Sequence, residues 1–148
     1  MKNILSFTFL LFFSLSVQSQ ILNPVKWSYA AKKINDKEAV VFLKATIQPG
    51  WNIYSQFVDE GGPVPTSFVF SPSKNYSLVG KTGEPKPASK FEKTFNMNVK
   101  YFQNSAVFQQ KVKLNAKETT VDGTLEYMAC NDKQCLPPKE VKFSVVIK

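Results

Sequence analysis

Short runs in which apolar and polar residues alternate fill most of this chain, and turn-forming residues separate them. Val25-Lys26-Trp27-Ser28-Tyr29-Ala30 alternates, Asn35-Asp36-Lys37-Glu38 turns, and Ala39–Ile47 runs back. Pro49-Gly50 breaks the pattern before the aromatic segment Trp51-Asn52-Ile53-Tyr54. Gly61–Pro65 is a loop, and Thr66–Phe70 and Tyr76–Gly80 are short strands. Between Gly83 and Lys93 the composition shifts to Pro, Lys, Glu and Ser, which predicts a long exposed loop. Val99–Phe102 and Ala106–Leu114 read as a hairpin about Gln103-Asn104. Gly123–Met128 and Val141–Ile147 complete the set. A period of two places successive side chains on opposite faces of a strand. No stretch carries the longer period of an amphipathic helix. Many short β-branched and aromatic strands at regular spacing predict an all-β, antiparallel β-sandwich with one face of each strand in the core.

The N-terminus differs from the rest. Met1-Lys2-Asn3 is a short positive start, Ile4–Val17 is almost continuously apolar, and Val17-Gln18-Ser19 carries small residues where a signal peptidase reads. This predicts a secretory signal peptide over 1–19, cleaved after Ser19, and a single mature domain over 20–148. The alternative, a retained anchor, is disfavoured because the run is short and interrupted by Ser. No cysteine lies at the cleavage site for lipid attachment. The expected location is the periplasm or another exported compartment, where disulfides form and exchange.

The net charge is +8, carried by Lys alone, with neither Arg nor His in the sequence. Scattered lysines without arginine forks argue against nucleic acid and describe a solvated surface that steers an acidic partner. Lack of His removes the commonest metal ligand and general base.

That leaves the only two cysteines, Cys130 and Cys135, in Tyr127-Met128-Ala129-Cys130-Asn131-Asp132-Lys133-Gln134-Cys135-Leu136-Pro137-Pro138 between two predicted strands. A structural staple, a redox pair and a soft-metal site with Met128 are the readings open to these residues. A bridge across so small a loop stabilises by only about 2 kcal/mol through chain entropy. A redox pair needs reachable sulfurs and a loop that tolerates both states. The polar Asn131–Gln134 segment fits, Lys133 favours a thiolate and Asp132 opposes it. Cu(I) selects sulfur ligands, although only one Met lies nearby in sequence. Trp51, Phe68 and Phe70 read as core, and Tyr54 as either core or site.

Cys130-Asn-Asp-Lys-Gln-Cys135-Leu-Pro-Pro, preceded by Leu125-Glu126-Tyr127 and followed by a final strand, resembles the active-site hairpin of the N-terminal periplasmic domain of the thiol:disulfide interchange protein DsbD family, also known as the disulfide bond corrector domain. Gly50-Trp51-Asn52-Ile53-Tyr54-Ser55 is similar to the family's aromatic segment beside the cysteines. Phe91-Glu92-Lys93-Thr94-Phe95 falls where the family has a loop capping them. The resemblance implies an immunoglobulin-like sandwich that acts as a thiol–disulfide oxidoreductase component, with a redox-active disulfide and no other cofactor or metal. It implies that Cys130 forms the mixed disulfide and Cys135 resolves it. Phe95 or Phe91 then shields the pair, with Glu92 in the cap and Tyr54 lining the pocket. It also implies a thioredoxin-like reductant, supplied by a membrane electron carrier, and periplasmic thiol–disulfide proteins as acceptors. The cysteine spacing is one residue shorter than in well-known members, and Lys93 follows Glu92 where the family has an acidic pair. The chain ends at Lys148, so the donor is expected to act in trans. The reading from a different class is a non-catalytic β-sandwich binding module with a local structural disulfide.

Overall fold

The computed structural model describes residues 22–148, so the predicted signal peptide and its cleavage site lie outside the described residues. Among the described residues the regular elements are all strands. In chain order they are β1 Val25–Asn35, β2 Glu38–Ile47, β3 Asn52–Tyr54, β4 Ser67–Phe70, β5 Tyr76–Gly83, β6 Ala88–Glu92, β7 Met97–Phe102, β8 Ser105–Leu114, β9 Thr119–Tyr127, β10 Ala129–Cys130 and β11 Lys139–Ile147.

All pairings are antiparallel, and the strands form three hydrogen-bonded groups, β1-β2-β8-β5, β11-β9-β4 and β10-β3-β7-β6. The alternation expected from the sequence is what builds the core. In β2, Ala39, Val41, Leu43, Ala45 and Ile47 point inward, and in β9 Val121, Leu125 and Tyr127 meet them from the other sheet. Phe108 is the aromatic hub. It stacks at tilted or edge geometry with Trp27, Phe68 and Phe102, at centroid separations of 5.9, 4.9 and 5.6 Å. These are the separations at which aromatic pairs add to simple burial. The first two groups are the layers of an immunoglobulin-like β-sandwich, as expected.

Two elements differ from the sequence reading. Residues 88–92 form a strand rather than loop, because Ala88–Glu92 pairs residue for residue with Met97–Tyr101. A short polar strand carries no apolar period of its own, so only its partner reveals it. The second difference concerns β7 and β8, which are consecutive but do not pair. β7 joins β3 and β6, whereas β8 lies between β2 and β5. The chain switches sheets at Asn104, which takes a positive φ of 61° and accepts a 2.8 Å hydrogen bond from the Ile47 amide. Asn tolerates this left-handed conformation better than most residues.

Candidate functional site

The third group of strands carries the site. β9 and β11 pair from Thr119↔Ile147 up to Tyr127↔Lys139, and the chain between them folds over as the cysteine hairpin. β10 continues from β9 and pairs with β3, setting Cys130 opposite Asn52 and Ala129 opposite Ile53. Cys130 and Cys135 are disulfide-bonded, with their Cα atoms 4.0 Å apart.

The loop between them supplies its own hydrogen bonds. Asn131 Oδ1 accepts from the amides of Lys133 and Gln134 at 2.9 and 2.8 Å. The Asn131 amide donates to Gln134 O, and the Leu136 amide donates to Ala129 O, both at 2.9 Å. Asn thus stabilises a turn through its side chain, independently of the sulfurs. This is the property a pair that cycles between bridged and open states requires.

The two cysteines are not equally buried. Cys130 is 1 % exposed, while Cys135 is only partly buried. Cys135 is thus the more exposed member of the bridged pair. The reason is local. Cys130 sits in a strand between neighbours, and Cys135 lies on the returning limb of the hairpin.

Register defines the face on which the pair lies. Cys130, Asn52 and Tyr54 share one face of the β10-β3-β7-β6 sheet with Met97, Val99 and Tyr101 of β7 and with Lys90 and Glu92 of β6. Tyr54, Val99 and Cys130 form a small buried cluster apart from the main core, with Val58, Met97, Tyr101, Met128 and Cys135 packed around it. Asn52, itself buried, accepts a 2.9 Å hydrogen bond from Gln103 Nε2. Lys90 Nζ is 3.1 Å from Glu92 Oε2 and 4.9 Å from the centre of the Tyr101 ring, within cation–π range.

Tyr54 is wholly buried, and its hydroxyl has no hydrogen-bond partner of normal geometry. Its pKa is raised well above the ordinary tyrosine value, first by burial and then by the nearby Glu92 carboxylate. The phenol is therefore a neutral donor at any physiological pH.

Of the remaining cap candidates, Phe91 pairs with Asn98 on the opposite face of β6 and is 56 % exposed. Phe95 is partly buried at the β6–β7 turn, where its amide donates to Glu92 O. A loop over 55–66 crosses the cysteine face. The Ser55 amide donates to Lys100 O at 3.0 Å, and Thr66 Oγ1 donates to Tyr54 O at 2.6 Å. At Gly62 there is no room for a side chain, since a Cβ would lie 2.7 Å from Val58 and 3.1 Å from Met97 Sδ. Glu84, at the end of β5, accepts from Ser55 Oγ at 2.6 Å and from the Gln56 amide at 2.8 Å.

Sequence reasoning brought Cys130, Cys135, Tyr54 and Glu92 to this neighbourhood. It did not single out Asn52, although that residue lies within the Gly50–Ser55 segment, nor Gln103, Met97, Val99, Tyr101 and Glu84. Only the last, an acid flanked by Gly83 and Pro85 in a loop-like stretch, had any signal as a residue fixed by contacts elsewhere.

The sequence profile of the family described as thiol:disulfide interchange protein DsbD, N-terminal, matches residues 18–147. The chain belongs to the DsbD N-terminal family. Solved structures agree on the fold. The N-terminal periplasmic domain of ScsB from Proteus mirabilis superposes with a TM-score of 0.61 at 18 % identity, covering 85 % of this chain and 47 % of that one. The chain thus spans about half of that ScsB structure. The DsbD N-terminal domain of Neisseria meningitidis in its reduced form gives 0.51 at 17 % identity, covering 78 % of this chain and 82 % of that one. A structure of the complex between the DsbD and PilB N-terminal domains from the same organism gives 0.55 at 17 % identity, covering 84 and 87 %. No curated protein sequence matches the chain. The family's redox-active disulfide corresponds here to the Cys130–Cys135 bridge.

Proposed function

We propose that this chain is a periplasmic thiol–disulfide exchange module that takes reducing equivalents from a thioredoxin-like donor and passes them to exported disulfide proteins. The observation that carries the reading is the unequal burial of the two bridged cysteines in a hairpin held by its own backbone and Asn131 hydrogen bonds. Membership of the DsbD N-terminal family and the known complex of a relative with another protein domain support it. The N-terminal apolar run supports export.

The exchange balances as two thiol–disulfide substitutions. A donor thiolate attacks Cys135 Sγ, the Cys130–Cys135 bond breaks, and Cys130 leaves as a thiolate that takes up a proton. The donor's second thiolate attacks the sulfur of the donor in the mixed disulfide, releasing Cys135 and leaving the donor oxidised. Two electrons and two protons have then reached the domain. Reduced Cys135 next attacks a downstream disulfide, and Cys130 displaces the product thiol and restores the bridge. In this reading Tyr54 and Glu92 line the pocket beneath the pair and the β6–β7 turn with Phe95 screens it. Phe91, turned to the other face, is at most part of the rim.

The test is a redox titration of the pair by thiol alkylation and mass shift, combined with trapping. Exchange catalysts have potentials of about −180 to −270 mV, and structural bridges lie below roughly −300 mV. A value in the first range is expected, with Cys130→Ser accumulating a mixed disulfide through Cys135 and Cys135→Ser accumulating none. A potential in the second range would leave a staple in a binding module. Trapping through Cys130 would restore the order of roles expected from the sequence.

A further inference from the structure

The outer faces of the two sandwich layers have opposite electrostatic character, and the register shows it residue by residue. On the β1-β2-β8-β5 layer, the core-facing residues alternate with outward Lys26, Lys32, Lys44, Lys111 and Lys113, all exposed. The only carboxylate among these outward strand positions is Glu38, already held by Lys111 at 2.8 Å, which lowers its pKa. Rows of this face interleave the lysines with apolar residues. Lys32, Val40, Lys111 and Val79 lie side by side across the four strands, and Phe42 and Val107 occupy adjoining rows. On the β11-β9-β4 layer the outward positions include Asp122, Glu126 and Glu140, against Lys142, and Glu126 lies directly opposite Glu140.

A net charge alone says little about partners, but this segregation gives the molecule a basic side and an acidic side. Lysine stems beside half-buried Phe42, Val40 and Val107 can lie along an apolar surface with their ammonium groups at its polar boundary. The absence of Arg means that planar bidentate recognition of a particular carboxylate or phosphate is not available, whereas point charges suit a laterally mobile anionic layer. We infer that the outer face of the β1-β2-β8-β5 layer docks on a bilayer surface rich in anionic phospholipid headgroups. The acidic layer then faces away, and the cysteine hairpin, which grows from β9 and β11 of that far layer, stays free for a protein partner.

Co-sedimentation of the mature chain with lipid vesicles tests this. Vesicles of phosphatidylcholine with about 30 % phosphatidylglycerol should pellet the protein, pure phosphatidylcholine should not, and about 0.5 M NaCl should release it. Lys26→Glu/Lys44→Glu/Lys113→Glu should weaken the binding by about tenfold or more, and the matching Gln variant by less. The control Lys139→Glu/Lys142→Glu/Lys148→Glu, with the same change in net charge on or next to β11 of the opposite layer, should stay within about twofold of the parent. Thermal unfolding of each variant checks that the sandwich is intact. Equal weakening by the two Glu variants, no binding to the anionic vesicles, or pelleting without vesicles through stacking of basic on acidic faces would each overturn the inference.

Discussion

At the scale of single residues, Tyr54 shows how burial and charge act together. Its hydroxyl is desolvated without a normal partner, so Tyr54→Phe removes a polar atom that folding does not reward and should leave stability near pH 7 within about 1 kcal/mol of the parent. Tyr54→Ala empties a buried ring and should cost about 3–5 kcal/mol. The alkaline limb separates the hydroxyl from the ring. A phenol whose pKa is raised in the folded state contributes stability fully present below the unfolded value near 10 and lost as pH climbs towards the folded value. Denaturant titrations from pH 8 to above 10 should therefore show a steeper loss for the parent than for Tyr54→Phe. Tyr29, Tyr76 and Tyr127, also raised chiefly by burial, keep part of that slope in both proteins. Identical slopes would mean that the Tyr54 hydroxyl is solvated in solution.

At the scale of elements, the site depends on a polar chain that crosses from the sandwich to the loop over the cysteines. Gln110, almost fully buried, accepts at 2.8 Å from Thr82 Oγ1 and donates to Lys111 O at 2.8 Å. Gln56 Nε2 donates to Thr82 O at 3.1 Å, and Glu84 closes the chain on Ser55 and Gln56. Glu84 is thus a positioning residue for the segment that carries Val58 onto the disulfide cluster. Glu84→Ala should cost about 1–3 kcal/mol and speed alkylation of the reduced cysteines, and Glu84→Gln should recover part of both, since it keeps one acceptor oxygen. A rate that does not respond to Glu84→Ala would mean the loop is held by Ser55 N and Thr66 alone. Elsewhere the strands of the β11-β9-β4 layer pack closely through a glycine. A Cβ at Gly123 would run into Val69 O and lie 2.5 Å from the Phe143 ring. Gly123→Ala should cost about 1–3 kcal/mol and loosen β4 from β9, visible as faster amide exchange in Ser67–Phe70.

At the scale of the whole molecule, the fold separates its tasks. Two apolar faces make the core, a third group of strands overhangs it with the cysteines, and the outer faces segregate charge. This separation is why changes on the basic face are expected to alter vesicle binding without shifting the potential of a pair held at one end of the sandwich.

Much of this was legible in the chain. Alternation in β2, β8, β9 and β11 determined the all-β class and the inward residues, because a period of two needs no information beyond neighbours. The single cysteine pair, its polar loop and the prolines after it marked the site, and the resemblance they carry implied the redox hairpin. What only tertiary structure decided depends on partners distant in sequence. The strand at Ala88–Glu92 exists through β7, and β7 and β8 part company because each finds its hydrogen-bonding partners in a different group of strands. Phe91 turns away because of register, and Cys130 rather than Cys135 is buried because β3 and the Tyr54 cluster close over it. Sequence determines which residues want to be buried or to react; the packing of non-local strands determines which of them an attacking thiolate can reach.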